Sequence, residues 1–283
     1  MITKKEISNG SSGIQAEGDI NITLNHGLTV DEVKNLVELY LTQNFPRLRE
    51  DAMHIAQENV NNLMAEFKRQ LETLQFMVDL NKFKEPDVQY SINEATIGVA
   101  KRGDAANIEM LTALLLERVR VDTSDIFSLA CSEAIKILPR INKSHINYMS
   151  LAYFFDHMIV HNLNSLSDLE ASAKLVQPII ADAGSLSGWN VQYLIILQCL
   201  YHHNLGRASV YSMMSKKYPA VTNLTEKQIK TEIQKTTYLK NAVEAYDSKK
   251  MNFQSLTLVG QIIACLNINK YIPQKKQMNE FIK

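Results

Sequence analysis

The sequence predicts a mainly α protein: an N-terminal β segment for self-assembly, a long helix, then stacked antiparallel helical hairpins. Three observations carry that prediction. In Gly13 to Asn25, GIQAEGDINITLN, the residues Ile14, Ala16, Ile20, Ile22 and Leu24 alternate with polar ones, the period-two pattern of a half-buried strand. After Thr29 the apolar residues recur every three or four positions, between helix-start and helix-stop signals. The connections between these segments are short, as expected of antiparallel helical neighbours.

The bulk composition sets bounds. The chain has 283 residues, 46% hydrophobic and 21% charged, in the range of a globular protein large enough for one or two domains. Thirty Lys/Arg balance 30 Asp/Glu, which argues against wholesale nucleic-acid binding. The balance hides an asymmetry. From Lys216 onward there are 12 Lys against 5 Asp/Glu, so that segment carries +7 and the first 215 residues carry −7. A solvated helical face explains the excess; contact with phosphate or an acidic partner is the sharper alternative. Cys131, Cys199 and Cys265 each sit in an apolar helical context and read as buried free thiols of a reducing cytoplasm. The start, MITKKEISNGSSG, lacks the apolar core of a signal peptide. The most apolar run, Val191 to Leu200, is far short of the ~20 residues that a membrane span needs.

In chain order, residues 1–12 read as a disordered leader and 13–27 as a β oligomerisation segment. The segment is either one strand or a hairpin with Glu17-Gly18-Asp19 as its loop, pairing Ala16 with Ile20 and Ile14 with Ile22. Its edges need backbone partners, and no second strand is evident later in the chain, so a second copy of the segment is the expected partner. Burying Ile14, Ile20, Ile22 and Leu24 between copies would be worth roughly 1.5–3 kcal/mol each.

Residues 28–82 form a helical stalk or bundle. Thr29 to Glu32 is a capping box, and Pro46 is expected to stop the first helix or open the next. A second helix, from about Arg47 to Leu80, carries the stripe Leu48, Ala52, Ile55, Asn59, Leu63, Phe67, Leu71, Leu74 and Val78. The stripe's mean spacing exceeds the ~3.5 residues of a regular coiled coil. The pattern leaves open whether the stripe packs on its own chain or on another.

Residues 83–218 form a helical domain. Pro86-Asp87 opens a helix that ends at Lys101-Arg102-Gly103, and further helices are expected at 104–120, 123–138, 143–161, 167–183, 189–203 and 207–218. Residues 219–283 form a basic helical region, with a capping box at Thr225 and Gln228 and a last helix capped by Thr257.

Catalytic motifs are missing from this pattern. His157 and His161 stand four apart on the expected 143–161 helix, a spacing that can serve one metal, but no third ligand is identifiable; no metal or other cofactor is expected. His202 and His203 are neighbours that point apart. No CxxC pair, Walker loop, GxGxxG or GxSxG is present. Leu256 to Gly260, LTLVG, is similar to the LTxxG at the entry to the last helix of some winged-helix domains. Together with Lys216, Lys217, Lys227, Lys230, Lys235, Lys249 and Lys250, it keeps nucleic-acid binding as the alternative function.

Two segments are similar to a known family pattern. Ile14 to Ile22, IQAEGDINI, resembles an IQAxGDxNI signature found near the N-termini of assorted bacterial proteins, some encoded near phage-defence genes. Pro86 to Ala95, PDVQYSINEA, with Gly103-Asp104 following, resembles a PDVQYALNEA…GD region of an uncharacterised helical bacterial family; Ser91 stands in place of the usual alanine. The resemblance implies a bacterial or mobile-element origin and a cytoplasmic location, and brings no catalytic residues with it. The expected function is a self-associating interaction or scaffold protein, with itself and a protein encoded nearby as partners, and no membrane.

Overall fold

The computed structural model describes residues 30–74, 77–160, 165–218 and 223–272, with side chains from residue 49 on. The described residues are mainly helical, with twelve α-helices and one two-stranded sheet among them. The β segment at Ile14, Ala16, Ile20, Ile22 and Leu24 lies outside them. By compactness the chain divides between Ala52 and Met53.

Helix α1 spans Val30–Leu74 and runs without interruption through Pro46, where a stop or restart was expected. Proline removes one backbone donor and crowds the preceding turn, and the helix continues past that loss. The helix ends at Leu74, short of Leu80, because a β-bridge takes over the backbone. Val78 pairs with Arg120, the Asp79 N–H donates to the Val119 carbonyl (2.9 Å), and the Val121 N–H donates to the Met77 carbonyl (3.0 Å).

Helix α2, Pro86–Arg102, has Pro86 and Asp87 in its first turn as the sequence indicated. Gly103 follows at φ 52°, where a Cβ would stand 2.8 Å from Asn59 Oδ1. Asn59, the polar member of the α1 stripe, thus lies over the end of α2 and donates to the Ala100 carbonyl (3.3 Å). A 3₁₀ turn and Asn107, at φ 59°, delay α3 to Ile108–Arg118. Helix α4 is Asp125–Ile137. Ser91 on α2 donates to Ser132 on α4, and Gly98 abuts Pro139.

Helix α5, Lys143–Asp156, is the axis of the core. Every residue from His145 to Phe155 is buried, so the helix has no solvent face. It was expected to reach His161. It stops because the N–H groups of His157 and Met158 both close on the Tyr153 carbonyl, each at 2.9 Å. The expected 167–183 helix is two, α6 at Leu166–Leu175 and α7 at Gln177–Ala183, since Pro178 cannot supply the N–H that continuity requires. Helix α8 is Gly188–Ile196.

The largest departure from expectation follows α8. Leu200–His202 is not helix but a strand, β1, paired antiparallel with β2, Gln254–Leu256, in the register Leu200↔Leu256, Tyr201↔Ser255 and His202↔Gln254. Gln198, at φ 57°, makes the turn out of the helix. Helices α9 (Val210–Lys217), α10 (Glu226–Ile233), α11 (Tyr238–Ser248) and α12 (Leu258–Ile268) complete the described chain. Thr225 and Gln228 form the expected capping box, and the Thr257 hydroxyl caps α12 by accepting from the Gly260 N–H (3.2 Å).

Helix α12 packs against α3, α4 and α5, with Ile262, Ile263, Ala264, Cys265 and Ile268 buried. Its entry is tight. A Cβ on Gly260 would stand 2.2 Å from the Cys199 carbonyl oxygen, which also accepts from the Thr257 N–H (3.0 Å). Only glycine lets α12 approach the end of α8 so closely. All three cysteines are buried free thiols; burial pushes the Cys199 thiol up to about 12 and the Cys131 thiol higher still.

Candidate functional site

The lysines of the basic region do not form one solvated set. Lys217 Nζ donates to the Phe155 carbonyl at the end of α5 (2.9 Å), and Lys249 Nζ donates to the Leu186 carbonyl (2.9 Å). Both act as helix-end and loop clamps, in the manner of basic side chains near a helix C-terminus. Lys235 pairs with Glu232 (2.6 Å), and Lys230 lies 5.9 Å above the Tyr211 ring. Lys216, Lys227 and Lys250 are exposed. Lys227 and Lys230, three apart on α10, share its outer face.

The fold also holds a buried polar cluster that the sequence did not reveal. Asp156 ends α5 with its side chain 3% exposed. Arg207 Nη2 donates to Asp156 Oδ2 (2.7 Å) and to the carbonyls of Gln254 (2.6 Å) and Met251 (3.3 Å), and lies 3.2 Å from the Tyr246 hydroxyl. That hydroxyl donates to Asp156 Oδ1 (3.0 Å). Burial, then the Asp156 charge, pushes the Tyr246 hydroxyl well above its ordinary range, so it stays a donor at any physiological pH. Burial opposes the Arg207 charge, and Asp156 more than restores it. One guanidinium therefore joins α5, α11 and the approach to β2. The cluster is a structural hub: Arg207 Nη2, Asp156 and the Tyr246 hydroxyl satisfy one another, while Arg207 Nε is buried without a partner among the described residues.

The histidines also separate from any shared chemistry. His157 is the C-cap of α5 and stacks on Tyr153 at 5.6 Å. Burial holds its imidazole below the ordinary value, hence neutral. The helical spacing that would have aligned it with His161 does not exist, because α5 ends at Asp156; His161 is outside the described residues. His202 and His203 lie at the end of a strand, not on a helix. His202 stacks on Phe253 (6.2 Å) and His203 packs edge-on to Tyr201 (4.9 Å). His203 Nε2 and Ser255 Oγ are 2.7 Å apart, a pair invisible in the sequence. Neither is hydrogen-bonded to a carboxylate among the described residues, so the orienting third group of a nucleophilic triad is missing there. The pair instead ties the end of β1 to β2. Among the described residues no group of three or more His, Cys, Asp or Glu could hold a metal ion.

The PDVQYSINEA segment is explained by packing. Asp87 accepts from Arg118, whose side chain is 2% exposed and which also donates to the Ser128 carbonyl (3.0 Å). Ser91 is buried against Ser132, and Ala95 is buried in the core. Asp87, Ser91 and Ala95 thus seat α2 on α3 and α4. Leu256 to Gly260 is a helix entry; the two strands beside it lie some fifty residues apart in the chain, unlike the adjacent strands of a wing hairpin.

The described residues thus define a mainly helical protein with a few buried polar clusters at its core. A family model matches residues 27–238, and the chain belongs to that family, an uncharacterised one. No curated protein and no solved structure matches. No helix among the described residues is long and apolar enough to cross a membrane.

Proposed function

We propose that the chain is a self-associating interaction protein, joined to further copies through its N-terminal β segment and the first part of α1. One observation carries the reading: the α1 stripe divides in two. Leu63 is 3% exposed, and Phe67, Leu71 and Leu74 pack onto the body of the chain. Upstream, the stripe members Ala52 and Ile55 are exposed, Ile55 at 58%. An apolar stripe that continues past its intrachain partners is the surface expected of an association helix. It follows directly on a segment whose alternating pattern asks for intermolecular strand pairing. The resemblance of that segment to proteins encoded near phage-defence genes supports a bacterial cytoplasmic scaffold in a defence or mobile-element setting. Neighbouring gene products are then natural partners.

Light scattering on the intact chain, on Ile20→Asp/Ile22→Asp and on Ile55→Asp tests this. The intact chain should exceed the monomer mass, and both variants should lose subunits while keeping their far-ultraviolet helical signal. One common mass for all three refutes the reading. Tight, Lys227- and Lys230-dependent binding of nucleic acid that weakens steeply with salt would favour the alternative.

A further inference from the structure

A second surface stands out on the opposite part of the sequence. The 24 residues between Asp182 and Arg207 include no Asp, Glu, Lys or Arg, in a chain where 21% of residues are charged. Helix α8 lies in this stretch and is apolar on both sides. Leu194 is fully buried, and Val191, Tyr193 and Ile195 pack partly on the core. The outer face carries Trp189, 82% exposed, Gln192, and Ile196, 74% exposed. These three stand at i, i+3 and i+7, one stripe of a helix.

We propose that this stripe is a two-fold joint to a second copy of the chain, with α8 packed antiparallel on α8 of the partner. The stripe is complementary to itself. With the axis beside Gln192, Trp189 of each copy meets Ile196 of the other, because the two positions flank Gln192 by three and four residues. The two Gln192 amides meet at the axis, where each offers both a donor and an acceptor and can satisfy the other. A residue contacting its counterpart across the axis is the mark of an isologous interface. The stripe itself carries no charge, so its two copies meet without direct charge repulsion between stripe residues.

The area fits a modest affinity. An indole as open as Trp189 contributes about 200 Å² per copy. With Ile196 and Gln192, two copies come close to, without exceeding, the ~1,000 Å² at which a specific interface becomes stable. A reversible dimer in the micromolar range follows. This joint does not depend on the N-terminal segment, and a protein using both would assemble beyond dimers.

Trp189 is the single tryptophan of the chain, so its emission reports the joint directly. The experiment is a fluorescence dilution series on the full chain from about 200 µM to about 0.2 µM, bracketing a micromolar Kd. Emission should shift to shorter wavelength as concentration rises. Ile196→Asp should hold it at long wavelength throughout and weaken association at least about tenfold. Gln192→Glu, which sets two carboxylates face to face on an exposed position, should act in the same direction. Both variants should keep the helical signal. Ile20→Asp/Ile22→Asp should retain the shift, which separates this joint from the N-terminal one. Long-wavelength emission at every concentration of the unaltered chain overturns the proposal, as does a shift that persists unchanged in Ile196→Asp and Gln192→Glu.

Discussion

Replacing Arg207 with Met should be among the more damaging single changes in the protein. It strips the counter-charge from Asp156, whose side chain is 3% exposed, and takes the donor from the Met251 and Gln254 carbonyls. Breaking a buried ion pair from one side costs roughly 3–5 kcal/mol, against a total stability of roughly 5–15 kcal/mol for a typical domain. Asp156→Asn should cost less, about 1–3 kcal/mol, because the guanidinium is 27% exposed, keeps both carbonyls and still reaches water. The two changes act on one network, so the double variant should fall short of the summed single effects by about 0.5–3 kcal/mol. Urea unfolding followed by far-ultraviolet circular dichroism measures all three, provided the m-value stays constant. Tyr246 adds a pH handle. Its hydroxyl is held above the ordinary 10.0 by burial and by Asp156, so its contribution is full below pH 10 and declines as pH rises and the unfolded chain ionises first. Tyr246→Phe should flatten that alkaline decline. A cost below ~1 kcal/mol for Arg207→Met, with simple additivity in the double variant, would place the pair among ordinary surface ion pairs and refute the hub argument.

Two further changes test local geometry. Glu170 on α6 accepts from the N–H groups of Thr237, Tyr238 and Leu239 at 3.1, 3.0 and 2.7 Å, capping α11 from another helix. Burial raises its pKa, but the three N–H bonds outweigh that and hold it below 4.5. Its contribution is therefore present above pH 4.5 and lost as pH falls through the lowered value. Glu170→Ala should cost about 0.5–2 kcal/mol at neutral pH, and the variant and the parent should converge in acid, as read by denaturant midpoints across pH. Gly260→Ala drives a methyl to within 2.2 Å of a backbone oxygen, and calorimetry should show about 3 kcal/mol or more of lost stability, against about 1 kcal/mol for the cap change Thr257→Ala.

Much of the helical order was legible because its signals are local. Pro86 and Asp87 announce α2 by filling its first turn, and Thr225 with Gln228 announces α10, within four residues in each case. The strands were illegible for the opposite reason. Leu200–His202 reads as the tail of an apolar helix, and only pairing with residues some fifty positions away makes it a strand. The same distance hides the Arg207 cluster, whose members come from positions 156, 207, 246, 251 and 254. It also explains how Lys217 and Lys249 could be read as solvated while both serve backbone carbonyls in other elements. His157 and His161 looked aligned only while α5 was taken to extend past Asp156, and the length of a helix without a strong stop signal is set by tertiary contacts rather than by its own residues.

The placement of α12 has a consequence for how the protein is made. This helix, at positions 258–268, is seated against α3, α4 and α5, which leave the ribosome far earlier. At roughly 5–20 residues per second, the interval between the end of α5 and the end of α12 is on the order of ten seconds. Throughout it, the nascent chain carries α5, a helix that the finished fold buries from His145 to Phe155, while one of its covering partners has yet to be synthesised. Holdase chaperones that recognise exposed apolar segments should engage that intermediate, and early translation stops should yield insoluble rather than partly active fragments.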